Sequence, residues 1–326
     1  MVKDSLFVLC DRFIANRDTV KAAFRMDNNY IFPVCANLFC ARGRMAQAEA
    51  LRRSRDVIRS QTGAFSHFRG NIKAPLACIL SMSDSPEGAM ARAVDNYTLL
   101  RNSFSGSEYL ALAAFLLADL DRDAAGRAAR GREIYRRMKE EHPFLTSSED
   151  SVFAVFMAFS QLSDDRLIED MEAVYRLVKT RFRDSNCVQT VSHVLTLSPG
   201  APEGKVQRLF ALYDALENAG GKYGKHYQLA TLAALSAADA DIRTLTEDIL
   251  DVDYFLENQK GYGFFGLDRR TRLMHAAMIV SDQYTPRESV DQAALAGTLS
   301  MIIAQQMACC AAACAASSAS SAAAAH

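Results

Sequence analysis

The chain alternates between stretches in which apolar residues recur every three or four positions and stretches in which most residues are apolar. From Leu167 to Val178 the apolar positions fall at helical spacing, with acidic and basic residues between them, which predicts a helix that buries one face. Segments 110–117, 152–159 and 229–235 are apolar on nearly every side and predict helices surrounded by neighbours. Because these segments are rich in alanine and leucine and lack the alternation of a strand, we predict an all-α fold.

The two kinds of stretch repeat with a period of about 40 residues. Tyrosines inside the amphipathic stretches mark the period. They are Tyr97, Tyr135, Tyr175, Tyr213 and Tyr254, separated by 38, 40, 38 and 41 residues. Apolar residues at positions 57 and 14 continue the series toward the N-terminus. The spacing predicts about seven helical hairpins between residues 5 and 285, whereas tyrosines scattered in an ordinary helical bundle are the alternative interpretation.

A hairpin of this size cannot bury its apolar face alone, so neighbouring hairpins must stack on one another. The stack is either an open α-solenoid or a closed α/α ring, and the sequence leaves both possibilities open. Ser163 precedes one amphipathic stretch and Gly220-Gly221 follow another, as expected at the start and the end of a helix. Pro33 and Pro75 fall near the start of apolar stretches, where a missing N–H is tolerated.

The C-terminal segment differs in composition from the repeats. No residue from 292 to 325 is charged, and the last residues are mostly alanine, serine and cysteine. We therefore divide the chain into a helical-repeat domain (1–290) and an Ala/Ser/Cys-rich C-terminal helix and tail (291–326). Alanine favours a helix over 290–308, and the central Gln305 and Gln306 argue against a membrane span.

Charge and cysteine usage indicate a cytoplasmic protein. The 37 lysines and arginines nearly balance 38 acidic residues, so the whole chain has no basic excess that would attract nucleic acid or an anionic membrane. Five cysteines are scattered through apolar segments without a CxxC pair, and the N-terminus carries charges where a signal peptide would be apolar. These features are typical of reduced thiols in the cytoplasm.

Polar side chains recur at the turn, or early in the second helix, of successive hairpins. If the hairpins stack in register, these side chains line one strip, which is a candidate binding surface. The candidate ligand-binding residues are His67, Arg69, Glu108, Tyr109, Glu149, Asp150, Gln189, His193, Tyr227, Arg272 and His275. Ser-Glu pairs that open a helix also serve as caps, and histidines inside apolar helices are also common as hydrogen-bonded core residues.

The segment Gly261–Gly266 fits the dinucleotide pattern G-x-G-x-x-G literally. That fingerprint binds pyrophosphate only between a strand and a helix, and the stretch before it has helical spacing, so we reject a dinucleotide site. Tyr262, Phe264 and Phe265 of this loop lie next to arginines. They are candidates either for an interface, where exposed aromatics act as anchors, or for packing on the last hairpin.

No catalytic or metal-binding motif is visible: the chain has no HExxH, P-loop or nucleophile elbow, and no cofactor is predicted. The leading hypothesis is a cytoplasmic binding or scaffold protein for a protein, peptide or small-molecule ligand, with nucleic acid and membrane disfavoured. The alternative is an enzyme in which Glu149, Asp150 and His193 perform acid–base or metal chemistry at the centre of curvature. A second alternative is nucleic-acid binding through the basic face Arg42–Arg59.

Five short motifs give the chain a resemblance to a known family. They are Ser66-His-Phe-Arg-Gly70, Ser107-Glu-Tyr109, Ser148-Glu-Asp-Ser-Val-Phe153, Ser192-His-Val-Leu195 and Lys260-Gly-Tyr-Gly-Phe-Phe-Gly266. With these motifs the chain resembles an uncharacterised bacterial family, domain of unknown function 4003, over most of its length and including the alanine-rich tail. The resemblance implies no activity, ligand or catalytic residue.

Overall fold

The computed structural model describes residues 3–25, 27, 29–120, 123–263 and 266–284. The predicted C-terminal helix and tail lie outside the described residues, as do Phe264 and Phe265. The division into a repeat domain and a tail therefore stays a prediction.

The described part of the chain contains fourteen α-helices and no strand, which confirms the all-α prediction. They form seven consecutive hairpins: α1 (Asp4–Ala23) with α2 (Ile31–Ala41), α3 (Ala48–Gln61) with α4 (Lys73–Leu80), α5 (Pro86–Arg101) with α6 (Glu108–Leu120), α7 (Ala124–Glu141) with α8 (Asp150–Met157), α9 (Asp164–Lys179) with α10 (Ser185–Thr196), α11 (Pro202–Asn218) with α12 (Gln228–Ser236), and α13 (Ile242–Glu257) with α14 (Arg269–Tyr284). A short 3-10 helix, His67–Arg69, lies between α3 and α4. Over these residues no helix has the length and apolarity needed to cross a membrane.

The two helices of each hairpin occupy different layers. The odd-numbered helices are amphipathic and keep one face in solvent, whereas the even-numbered helices are buried on every side, as in α2, where residues 31–40 are all buried. Burial on all sides is the environment predicted for the apolar stretches. Pro33 and Pro75 lie in the first turn of α2 and α4, where no intrahelical N–H bond is lost.

The hairpins stack side by side and close into a ring. Each odd helix packs on the next odd helix around the outside, and the first hairpin packs on the seventh, with α1 against α13 and α14 and α2 against α14. At this closure the rings of Phe7 and Phe255 meet edge to face at 5.7 Å, and Lys3 Nζ lies 2.6 Å from a carboxylate oxygen of Asp248. The sequence left open whether the hairpins form an open α-solenoid or a closed α/α ring, and these contacts show the closed ring. Among the described residues, no inner helix has a solvent-exposed face that extends over two turns. Side chains therefore fill the axis of the ring.

The tyrosines that revealed the period occupy equivalent positions. Four of them lie on outer helices and pack against an aromatic or histidine ring in the preceding hairpin's turn. The pairs and their centroid distances are Phe68–Tyr97 (5.4 Å), Phe104–Tyr135 (5.4 Å), His142–Tyr175 (4.4 Å) and Phe182–Tyr213 (5.3 Å). The fifth, Tyr254 on α13, is 70% exposed. At four of the six junctions between consecutive hairpins this contact fixes a hairpin on the one before it, which is why the period survives in the sequence.

All seven inner helices run in the same direction, so their N-termini lie at one end of the ring, which we call the N-terminal end. The outer-to-inner turns lie there and include two of the longest connections, residues 62–72 and 258–268. Several helices begin with a cap that the sequence predicts. The Ser107 hydroxyl accepts the N–H of Leu110 at 3.0 Å, and the Ser163 hydroxyl accepts the N–H of Arg166 at 3.3 Å. Most of the candidate ligand-binding residues lie at this end.

Candidate functional site at the N-terminal end of the ring

Polar contacts link neighbouring inner helices around the N-terminal end. They form a belt in which each link joins one hairpin to the next. The links are Asp27–Lys73 (3.0 Å), Glu108 to the N–H of Asn71 (2.9 Å), Tyr109–Glu149, Gln189–Thr146 (3.3 Å), Asp184–His226 (2.9 Å) and Tyr227–Thr271 (3.4 Å). Five of the candidate ligand-binding residues, Glu108, Tyr109, Glu149, Gln189 and Tyr227, belong to this belt. Their hydrogen bonds hold neighbouring hairpins together.

Glu108 shows how tightly this belt is built. Its carboxylate accepts the backbone N–H of Asn71, the residue that follows Gly70 in the preceding hairpin. A Cβ atom on Gly70 would collide with that carboxylate, so only glycine allows the close approach. The contact joins α6 to the turn before α4. We assign Glu108 a positioning role in the ring.

His67, Arg69 and Arg272 are also occupied by structural contacts. His67 Nδ1 lies 2.7 Å from the hydroxyl of Tyr97. The Arg69 guanidinium donates to the Thr62 hydroxyl at 3.1 Å and to backbone carbonyls at the end of α3. Arg272 is buried and binds Asp253 of α13 at 2.6 Å. These residues anchor the turns and α14 and leave few donors free for a ligand.

The corner between α8 and α10 carries the most perturbed groups. Asp150, 4% exposed, accepts the N–H of Ser147 at 2.7 Å with one oxygen. Its other oxygen lies 3.5 Å from Nδ1 of His193, which is 1% exposed and packs on the ring of Phe153 at 4.9 Å. Neither ring nitrogen of His193 has a hydrogen-bond partner among the described residues. Two buried ionisable side chains therefore face each other, Asp150 at the start of α8 and His193 within α10.

Burial drives the pKa values of this pair in opposite directions. Removal from water raises the pKa of Asp150 to about 7, with the neighbouring Glu149 adding to the rise and the Ser147 N–H opposing it. Burial and the nearby His142 lower the pKa of His193 to about 3. Both shifts favour the uncharged forms. From about pH 4 to pH 7 the pair is thus a protonated carboxyl beside a neutral imidazole.

Glu149 lies beside this pair but is only half-buried. Burial raises its pKa, and a hydrogen bond from the Tyr109 hydroxyl partly offsets the rise. A partly exposed carboxyl with a raised pKa is a common feature of functional sites, although ion-pair networks produce it too. Of the predicted acid–base set, Glu149 is the group that solvent reaches, whereas Asp150 and His193 are enclosed. The two other candidate histidines, His67 and His275, are engaged elsewhere, with Tyr97 and Tyr262.

Tyr262 and His275 lie at the closure of the ring. Tyr262 is 1% exposed, its hydroxyl lies 2.9 Å from His275 Nδ1, and the guanidinium of Arg17 lies over its ring at 5.5 Å. His275 is fully buried, and its pKa is lowered to about 3 by burial and by Arg17. Of the two interpretations of Tyr262, packing on the last hairpin fits this placement and an exposed anchor does not.

The glycines of the aromatic loop make a compact turn between helices. Gly261 has φ +95°, a conformation that other residues rarely adopt, and its carbonyl accepts the N–H of Leu267 at 2.9 Å. A Cβ on Gly266 would collide with Gly261. The segment before the loop is helix α13, as its spacing predicted, so the strand that a dinucleotide fingerprint requires before its glycines is replaced by a helix.

A cavity of about 660 Å³ opens beside this loop, between the first and seventh hairpins. We call it the seam pocket. Its lining combines the end of α1, the start of α2 and the loop before α14: Arg17, Asp18, Lys21, Ala22, Arg25, Asn29, Tyr30, Phe32, Pro33, Lys260, Gly261, Tyr262, Gly266 and Leu267. Its basic residues did not stand out in the sequence, although Arg17 and Lys21 are four residues apart on one side of α1 and Arg25 follows in the next turn.

The basic stretch 42–59 does not form a single face. Arg42 and Arg44 line a 480 Å³ cavity at the opposite end of the ring, where the inner helices end. The other four arginines lie on α3, and three of them make ion pairs with Glu49 or Asp56 of the same helix. Arg42 and Arg55 are half-buried. The expectation of six arginines on one exposed face is wrong, because a turn separates the first two from α3.

The described residues offer no ready metal centre. Across 3–25, 27, 29–120, 123–263 and 266–284, no three His, Cys, Asp or Glu side chains are grouped as metal ligands. Cys10, Cys35, Cys40, Cys78 and Cys187 are buried free thiols. Burial raises the pKa of Cys10 and of Cys40 to about 12, so these thiols stay protonated at neutral pH.

Comparisons with known proteins agree with the resemblance noted from the motifs. The model of a family described as "Protein of unknown function (DUF4003)" matches residues 16–308. The chain is also 25% identical over 261 residues to the uncharacterized protein YeaA of Bacillus subtilis (strain 168), a match that covers 76% of this chain and 79% of that protein. No solved structure matches the chain.

Proposed function

Because the chain belongs to the family described as a protein of unknown function (DUF4003), its relatives assign it no activity, and we propose from its own geometry that it binds a small molecule. The ligand occupies the seam pocket, and the protein is a cytoplasmic binding protein. The observation that carries this proposal is the size of the pocket, about 660 Å³, since small-molecule sites typically measure about 300–1,000 Å³.

The composition of the pocket supports the same proposal. Small-molecule sites combine apolar walls with a few polar groups that orient the ligand. Phe32, Pro33 and Leu267 supply apolar walls, and charged side chains stand at the rim. The packed axis of the ring favours a small molecule over a long peptide, because the inner helices present no open groove along it.

The test is to purify the full-length protein from its own cells and identify retained small molecules by native mass spectrometry. Ala22→Trp fills the pocket from the exposed side of α1, and Ala129→Trp makes the same change at an exposed position of α7 outside the pocket lining. We expect wild type and Ala129→Trp to retain a common molecule that Ala22→Trp lacks. Retention of the molecule by wild type and both variants, or by none of the three proteins, would contradict the proposal.

The second candidate function is an acid–base enzyme. The observation that favours it is Glu149, a half-buried carboxyl with a raised pKa that accepts a hydrogen bond from the Tyr109 hydroxyl. The same experiment separates the two sites. Glu149→Gln removes the titrating group and leaves the seam pocket intact. A retained molecule that is lost from Glu149→Gln but kept by Ala22→Trp would place the site at the α8–α10 corner instead of the seam.

A further inference from the structure

The charges around the seam pocket are not balanced. Arg17 donates to Asp18 with two nitrogens, at 2.9 and 2.8 Å, so this pair is neutral as a whole. Lys21, Arg25 and Lys260 also line the pocket and are exposed, and within the described part of the chain none of them has an ion-pair partner. Three unpaired positive charges therefore surround one concavity in a chain whose net charge is −1.

These charges come from both sides of the ring closure. Lys21 belongs to the end of α1 and Arg25 to the turn that follows it, whereas Lys260 belongs to the loop before α14, more than 230 positions later in the sequence. Closing the ring brings like charges together, which costs electrostatic free energy unless a counter-charge binds between them. A ligand with a negative group would remove this repulsion and connect the first hairpin to the seventh.

The walls of the pocket restrict the rest of the ligand. Tyr262 forms part of the lining and is held by its contact with His275 and by the guanidinium of Arg17 above its ring. Tyr30 and Phe32 add further aromatic surface. An inorganic anion would leave most of the 660 Å³ unfilled. The occupant that matches both features has an anionic group and an apolar or aromatic body.

We propose that the seam pocket binds a small organic anion, whose phosphate or carboxylate group lies among Lys21, Arg25 and Lys260 and whose apolar body packs on Tyr30 and Leu267. This inference rests on the proposed function and adds the chemical class of the ligand. Arginine forms bidentate pairs with phosphate and with carboxylate, so both head groups share the same recognition chemistry.

The test uses probes in matched pairs, measured by isothermal titration calorimetry on the full-length protein. Phenyl phosphate and benzoate carry the two head groups, and phenol and benzamide are their neutral counterparts. We expect one of the anions to bind at millimolar concentration or better, its neutral counterpart to bind at least tenfold more weakly, and the affinity to fall as salt rises. The stronger anion identifies the head group.

Variants locate the binding. Arg25→Ala removes one charged donor and should weaken binding of the anion about tenfold, which corresponds to about 1.4 kcal/mol. Arg132→Ala removes an exposed arginine from α7, on the fourth hairpin, and should leave the affinity unchanged. Both positions are exposed on the surface, and the melting temperature of each variant confirms that it is folded.

Three outcomes are decisive. Preference for an anion together with its loss in Arg25→Ala supports the inference. Equal binding of anionic and neutral probes, with Arg25→Ala unchanged and Ala22→Trp blocked, overturns the anionic class but leaves a small-molecule site. No binding of any probe at ten millimolar, combined with no retained molecule in the native protein, overturns both proposals.

Discussion

The buried Asp150–His193 pair makes a sharp prediction about stability and pH. The pKa of Asp150 is raised from its usual 3.8 to about 7 in the folded protein. The native state therefore holds this proton more tightly than the unfolded chain does. The associated stability is fully present below pH 3.8, falls as pH rises, and is lost once pH exceeds about 7. His193 shifts in the opposite sense, with its pKa lowered to about 3.

Asp150→Asn isolates the contribution of the carboxyl. The amide resembles the protonated acid: its oxygen can accept the Ser147 N–H, and its NH₂ can face Nδ1 of His193. The full difference between the two pKa values of Asp150 corresponds to about 4 kcal/mol, since one pH unit corresponds to about 1.4 kcal/mol. Roughly 2–3 kcal/mol of it falls between pH 5 and pH 8. His193 is present in both proteins, so to a first approximation its own titration cancels.

Urea unfolding at pH 5, 6, 7 and 8 measures the effect. We expect Asp150→Asn to gain stability relative to wild type as pH rises, by about 1 M in the urea midpoint between pH 5 and pH 8. Asp95→Asn, the same change at an exposed position of α5, gives the background from removing one surface charge. If wild type and Asp150→Asn differ by the same amount at pH 5 and pH 8, Asp150 is already ionised in the folded protein at pH 5 and the neutral-pair interpretation is wrong.

Three further predictions concern the contacts that hold the ring. Phe182→Ala removes the 4% exposed ring that Tyr213 packs on and should lower the free energy of unfolding by about 3–5 kcal/mol in urea melts. Asp248→Ala removes the acceptor of the half-buried Tyr284 hydroxyl in the seventh hairpin and the partner of Lys3 across the ring closure, and should cost about 2 kcal/mol in the same assay; an unchanged midpoint would show that these two contacts add no stability. Tyr109→Phe removes the donor that lowers the pKa of Glu149, so that pKa should rise further in a carbon-13 NMR titration of the carboxyl, and a fall would exclude the hydrogen bond.

The repeat was predictable because the outer helices carry a marker at nearly constant spacing. Tyrosine is large and partly polar, so its position on an amphipathic helix stands out from the surrounding aliphatic residues. Its partners in the turns were also present in the sequence, at positions 68, 104, 142 and 182, spaced by 36, 38 and 40 residues. This second series is harder to recognise, because His142 stands where the other three positions carry phenylalanine.

Closure of the ring was not predictable from the same pattern. The choice between a solenoid and a ring depends on a small rotation between successive hairpins, which accumulates over seven units. The contacts that join the ends, such as Lys3 with Asp248 and Phe7 with Phe255, connect residues nearly 250 positions apart. No local period encodes such a pairing.

The sequence predicted where Glu149 and Asp150 lie along their helix, but not the direction in which each side chain points. The sequence placed Glu149 and Asp150 at the start of an inner helix, and both are there. Successive residues of a helix point about 100° apart, so Asp150 turns into the interface with α10 while Glu149 reaches the half-exposed rim. Which of two adjacent carboxyls meets solvent depends on how the helix is rotated about its axis, and that rotation is set by the packing of its neighbours.

The seam differs physically from the other interfaces of the ring, and this difference supports the proposal of a binding site there. Six interfaces join hairpins that are consecutive in sequence and similar in structure, and four of them use the same aromatic contact. The seventh joins the two ends of the repeat and uses different contacts, the Phe7–Phe255 ring pair and the Lys3–Asp248 ion pair. Residues at the seam are therefore free of the packing that the repeat imposes elsewhere. Substitutions at the end of α1 and in the 258–268 loop can change the ligand without disturbing the contacts that stack the other hairpins.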